Sequence, residues 1–118
     1  MLHAVVLDAA TLGEDISLAP LEKVTQLKVY QRTAPEQISE RVADAQIVVT
    51  NKLRLGAGNL HPGVKLVCVT ATGYDNIDLE YCRAHGIGVC NVRGYSTDSV
   101  AQLTVAMVLE LTMILLSL

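Results

Sequence analysis

Two short polar segments carry residue types that bind anions: Thr70-Ala71-Thr72-Gly73 and Ser96-Thr97-Asp98-Ser99. The first follows the apolar run VKLVCV. A glycine there lets the backbone approach a ligand closely, and successive N–H groups at Thr72 and Gly73 can hold a carboxylate. An ordinary strand-to-helix turn capped by Asp75, Asn76 and Asp78 accounts for the same residues. Asn51 and Lys52 end another apolar run, and a lysine adds the positive charge a carboxylate wants. A solvated strand-end lysine fits that spacing as well.

Other chemistries fare worse. A dinucleotide fingerprint needs three glycines as GxGxxG between a strand and a helix. Gly56 and Gly58 are followed by His61, and Gly86 and Gly88 by Asn91. No P-loop, HExxH, GxSxG or clustered Cys/His spacing occurs. His3 and His85 read as structural, and His61 has no evident partner. Asp8 stands where a receiver domain carries its phosphoacceptor. The first loop lacks the adjacent acidic pair, and the fifth strand ends in Asn91-Val92-Arg93 rather than lysine.

The elements that would position these residues alternate between apolar runs and helical patterns, which marks successive βα units. Strands are predicted over 2–7, 26–30, 45–50, 64–70 and 87–92. Ser17 is expected to cap a short helix over 18–24, with Pro20 in its first turn. Thr33 and Glu36 match a capping box, followed by a buried stripe of Ile38, Val42 and Ala45. Residues 53–62 read as irregular. Asp78 should cap a helix over 79–85 that Gly86 stops. Ser99 and Gln102 match a second capping box, opening a long last helix. The expected fold is a doubly wound α/β sandwich, flavodoxin-like, with strand order 2-1-3-4-5.

The 118 residues suffice for one domain. Hydrophobic residues make up 51%, with no Trp or Phe, so the core must come from Val, Leu, Ile and Ala. That suits a buried parallel sheet. A net charge of −3 and scattered basic residues argue against a nucleic-acid partner. Cys68, Cys82 and Cys90 form no CxxC pair and read as buried hydrophobes of a reducing cytosol. The N-terminus lacks the basic region of a secretory signal. Residues 100–118 are apolar enough for a membrane span by length, but central Glu110 and the lack of flanking Lys or Arg favour a core helix or one covered by further protein.

The order ATGYDNIDL, HGIGVCNV and GYSTDSVAQ resembles the D-isomer-specific 2-hydroxyacid dehydrogenase family. The opening LDAATL and the segment DAQIVVTNK are most similar to its glycerate dehydrogenase (hydroxypyruvate reductase) branch. The resemblance extends from Val5 to about Leu111. It implies that residues 1–98 form part of the flavodoxin-like substrate-side domain, lacking its returning last helix. Residues 99–118 would be a helix crossing to an NAD-binding Rossmann domain that is not in this sequence. The catalytic arginine, glutamate and histidine of the family have no counterpart here.

The resemblance also implies residue roles. Thr72 and Gly73 would hold the substrate carboxylate, with Thr72 near the cofactor, NAD or NADP. Asn51 and Lys52 would lie at the cleft edge. Ser96 would touch substrate, and Thr97 and Thr104 the cofactor side. Ala71 stands where relatives often have glycine, and the tail after Thr112 is more apolar than usual. The implied protein is a cytoplasmic oxidoreductase acting on a small 2-hydroxy or 2-oxo acid, homodimeric at full length, with no membrane partner. Two alternatives are an NAD-sensing corepressor-like relative and a stand-alone receiver-like or small-ligand module.

Overall fold

A computed structural model describes residues 1–92 and Val108. Five parallel strands form one sheet: β1 (Leu2–Val6), β2 (Thr25–Val29), β3 (Ile47–Thr50), β4 (Leu66–Val69) and β5 (Gly88–Cys90). Their order is β2-β1-β3-β4-β5, as the βα alternation predicts. The helices are α1 (Ala19–Val24), α2 (Ile38–Val42) and α3 (Leu79–Ala84), with 3-10 turns at Ala9–Leu12 and Pro35–Gln37.

Every residue of β3 and β4 is buried, because helices cover both faces of the sheet. Alternate side chains enter two separate cores. Val5, Leu7, Val48, Val67 and Val69 pack with Ile38, Val42 and Cys82 of α2 and α3. Ala4, Val6, Ile47, Val49, Leu66 and Cys68 pack with Leu21 of α1 and with Val108. Each fully buried valine or leucine contributes roughly 1.5–3 kcal/mol. A one-residue register slip would exchange the two cores, so the pairing of Val48 with Val67 is strongly specified.

Most strands are shorter than the apolar runs that predict them. Ala45, Val64, Ile87 and Val92 are buried but lie outside the paired ladder. The Asp78 cap forms as expected, its Oδ1 accepting from the Tyr81 amide at 3.0 Å. Gly86 ends α3 at φ +68°, a conformation that favours glycine. Ser17 is not the cap of α1: Leu18 takes the N-cap position, and Ser17 Oγ, one residue earlier, accepts from the Ala19 amide at 3.2 Å.

The expected Thr33–Glu36 capping box is not what forms. The Thr33 hydroxyl turns inward to donate to the Leu7 carbonyl at 2.6 Å, and Arg41 Nη1 donates to it at 2.7 Å. Gln37 Oε1 instead accepts from the Ala34 amide at 2.9 Å. A buried strand-end carbonyl needs a donor, and this need outweighs the local cap. The predicted Ser99–Gln102 cap and the helix over 99–118 lie outside the described residues, Val108 excepted; Val108 is helical and fully buried. Among the described residues, no helix is long and apolar enough to cross a membrane.

Candidate functional site at the carboxyl edge of β3 and β4

β3 and β4 end side by side. Thr50 pairs with Val69, and the Thr70 amide donates to the Thr50 carbonyl at 3.0 Å. Two of the predicted site segments, Asn51-Lys52 and Thr72-Gly73, therefore leave one edge of the sheet from neighbouring strands. Thr72, Gly73 and Lys52 are exposed and Asn51 is half-buried. In doubly wound sheets the carboxyl ends of the strands are where ligands bind. Ser96, Thr97 and Thr104 lie outside the described residues.

The β3 side is organised by Asp8, at the end of β1 and only 8% exposed. Its Oδ1 accepts from Thr50 Oγ1 at 3.1 Å and from the Asn51 amide at 3.0 Å. Its Oδ2 accepts from the Asn51 and Lys52 amides at 3.1 and 3.0 Å. Thr50 Oγ1 in turn accepts from the Leu53 amide at 3.3 Å. The backbone N–H groups of residues 51 and 52 are thus taken by Asp8, which leaves their side chains as the donors that can meet a ligand at the edge. The same arrangement corrects the phosphoacceptor reading of Asp8, whose two oxygens are buried and engaged by donors.

The β4 side is braced by β5. Asn91 Nδ2 donates to the Thr72 carbonyl at 2.8 Å, and the Val92 amide donates to the Ala71 carbonyl at 3.1 Å. A Cβ added at Gly73 would meet only Asp75 Oδ1, at an ordinary 3.6 Å, and Gly73 has no positive φ. Folding places no demand for glycine at this position. Farther along the loop, Asn76 Nδ2 donates to the Leu53 carbonyl at 2.7 Å. Amides of Leu55 and Asp78 close a parallel bridge between Leu55 and Ile77. The irregular segment after Lys52 is thereby tied to the loop after Gly73.

His61 has partners that its sequence neighbours do not reveal. Nε2 lies 2.8 and 3.1 Å from the carbonyls of Val42 and Ala45, and Nδ1 accepts from the Gly63 amide at 3.0 Å. These contacts require Nε2–H, and they make the ring a clamp on the end of α2 rather than a catalytic base. His85 stacks near Tyr81, with ring centroids 4.1 Å apart. All three cysteines are free thiols. Cys68 and Cys90 face each other across β4 and β5. A hydrogen bond with Cys90, burial and the charge of Cys90 together push the Cys68 thiol well above its ordinary value. The same hydrogen bond lowers Cys90, against an opposing effect of burial. Burial, then the Asp78 carboxylate, raise Cys82. Among the described residues, no three His, Cys, Asp or Glu side chains could hold a metal ion.

Sequence reading missed Asp8 and Asn91 as organisers of the edge. A buried-strand aspartate and a strand-end asparagine were the available signals, but their partners lie 42–44 and 19 residues away.

Comparison with known proteins supports one assignment. A hydroxypyruvate reductase of Blautia hydrogenotrophica is 36% identical over 113 residues, covering 91% of this chain and 35% of that protein. A glycerate dehydrogenase of Methylorubrum extorquens is 37% identical over 89 residues, 73% of this chain and 28% of that one. The NAD+-bound 3-phosphoglycerate dehydrogenase of Entamoeba histolytica superimposes with a TM-score of 0.61 at 26% identity, covering 76% of this chain and 32% of that one. The chain thus spans about a third of the length of the hydroxypyruvate reductase. Residues 4–112 match the family described as D-isomer specific 2-hydroxyacid dehydrogenase, catalytic domain. With this sheet order, and with relatives above 35% identity, the chain belongs to the D-isomer-specific 2-hydroxyacid dehydrogenase family.

Proposed function

We propose that the chain forms the substrate-side wall of an NAD(P)-dependent D-2-hydroxyacid dehydrogenase acting on a hydroxypyruvate/glycerate or glyoxylate type of substrate. The carrying observation is the shared edge, where Thr72-Gly73 and Asn51-Lys52 leave adjacent strands. In this reading residues 1–98 are the wall, and residues 99–118 cross toward a cofactor domain. The full-length protein is a cytoplasmic homodimer.

The backbone at Thr72 and Gly73 holds the substrate carboxylate, and Asn51 and Lys52 border it with an amide and a positive charge. Ser96 joins them on the substrate side, and Thr72, Thr97 and Thr104 touch the cofactor. Of these three only Thr72 is described, and it is exposed at the edge. No glycine cradle for a pyrophosphate occurs among the described residues. A nicotinamide, when bound, supplies or accepts the hydride. The chain's own part is to fix the carboxylate and exclude water, which aligns the reacting carbon.

As an isolated chain it is expected to be inactive, since among the described residues none of His3, His61 and His85 lies at the carboxyl edge. The test is NADH or NADPH oxidation with hydroxypyruvate or glyoxylate. Rates equal to a heat-killed control are expected, and oxidation above it would overturn the positioning-only role.

A further inference from the structure

We propose that Asp8 is an internal carboxylate ligand that fills an anion-binding nest at the end of β3, leaving the loop at residues 72–73 as the seat for an external carboxylate. The inference rests on the proposed function for its second half only. Its first half rests on geometry: two consecutive amides and one hydroxyl converge on a single buried carboxylate, all within 3.1 Å. Consecutive amides aimed at one point are the usual makings of a small-anion site. Hydrogen bonds to an ionised acceptor are about twice as strong as neutral ones. Here the anion comes from β1 of the same chain, so the nest is satisfied before any ligand arrives.

Two consequences follow for the edge. Residues 50–53 are held in one conformation, which keeps Lys52 exposed at the end of β3. One of two possible carboxylate seats is also closed, so a substrate has a single register on this wall. Asp8 is thus a positioning residue; it does not touch substrate.

Removing the side chain should turn the internal site into an external one. In Asp8→Ala, the vacated space is expected to admit formate. The experiment follows backbone amide resonances and hydrogen exchange of the whole 118-residue chain, with formate as probe. In wild type, formate should leave the Asn51 and Lys52 amides unchanged. In Asp8→Ala their exchange should quicken about tenfold or more, and formate should shift both resonances saturably and restore their protection. Asp8→Asn keeps the volume and one acceptor oxygen; it should lose part of the protection and show no formate response. Unchanged exchange in both variants, or no formate response at residues 51 and 52 in Asp8→Ala, would overturn the proposal. A side chain that only filled space here would not be replaced by formate, because formate restores acceptor oxygens to the Asn51 and Lys52 amides. D-glycerate added to wild type reads the other half: a response at residues 72 and 73 supports the seat. Its absence, with formate rescue intact, overturns the proposed function and leaves the nest standing.

Discussion

Asn91 at the end of β5 donates from Nδ2 to the carbonyl of Thr72, 2.8 Å away, so a neighbouring strand holds the loop after β4. This bond ties the end of β5 to the loop after β4 that carries the candidate carboxylate seat. Asn91→Ala is expected to cost about 0.5–1 kcal/mol, at the low end because the bond is solvent-exposed. Urea unfolding measures that cost. Amide exchange at residues 72 and 73 should rise more than at core residues such as Val67, and a uniform rise would contradict local bracing.

Gly73 separates folding from binding. An added Cβ meets nothing closer than Asp75 Oδ1 at 3.6 Å, so Gly73→Ala should change stability by less than about 0.5 kcal/mol. The methyl group would still crowd a ligand held by that backbone. The expected result is an unchanged urea midpoint with a weakened D-glycerate response at residue 72. A large loss of stability would show that the fold needs this glycine.

His61 and Gly63 form one unit. A Cβ on residue 63 would stand 2.6 Å from His61 Cε1 and 2.9 Å from Nδ1. Gly63→Ala must displace the ring from the carbonyls of Val42 and Ala45. His61→Ala is expected to lower stability by about 1–2 kcal/mol, through lost hydrogen bonds at a half-buried site. In the double variant the two losses should not add, because both remove one contact set. Full additivity in thermal unfolding would contradict the clamp.

The thiols should separate by pH. Cys90 is lowered by its bond with Cys68, so its thiolate forms below the ordinary range; Cys68 is raised and stays protonated. Iodoacetamide should label Cys90 first as pH rises, with Cys68 and Cys82 protected in the folded chain. Cys82 is raised by burial and by Asp78. A raised folded value gives stability that is full below the unfolded thiol pKa of about 8.5 and is lost as pH rises through the folded value. The urea midpoint of wild type should therefore fall more steeply above that pH than the midpoint of Cys82→Ala. Equal slopes would contradict the shift.

Local chemistry was readable where its partners are close in sequence. Asp78 caps an amide three residues away, Gly86 stops the helix it follows, and continuous apolar runs announce a parallel sheet. Ile38, Val42 and Ala45 show their buried stripe directly. The Thr33 cap was misread, and the partners of Asp8 and His61 were not legible, because these hydrogen bonds reach across 16 to 44 residues. Such partners depend on which strands become neighbours, and no residue pattern near those positions encodes that. Thr72-Gly73 and Asn51-Lys52 were legible as candidates because each ends an apolar run. Their placement on one edge became visible only once β3 and β4 were paired.

In its proposed role this chain supplies the carboxylate-positioning wall of a 2-hydroxyacid dehydrogenase. The most direct measurement replaces the matching segment of the Blautia hydrogenotrophica hydroxypyruvate reductase with this chain and follows hydroxypyruvate-dependent NADH or NADPH oxidation. The account predicts turnover by the chimera, with KM for hydroxypyruvate raised about tenfold or more by Gly73→Ala, equivalent to about 1.4 kcal/mol of lost carboxylate binding. A folded chimera that binds the nicotinamide cofactor yet shows no hydroxypyruvate-dependent oxidation would contradict it.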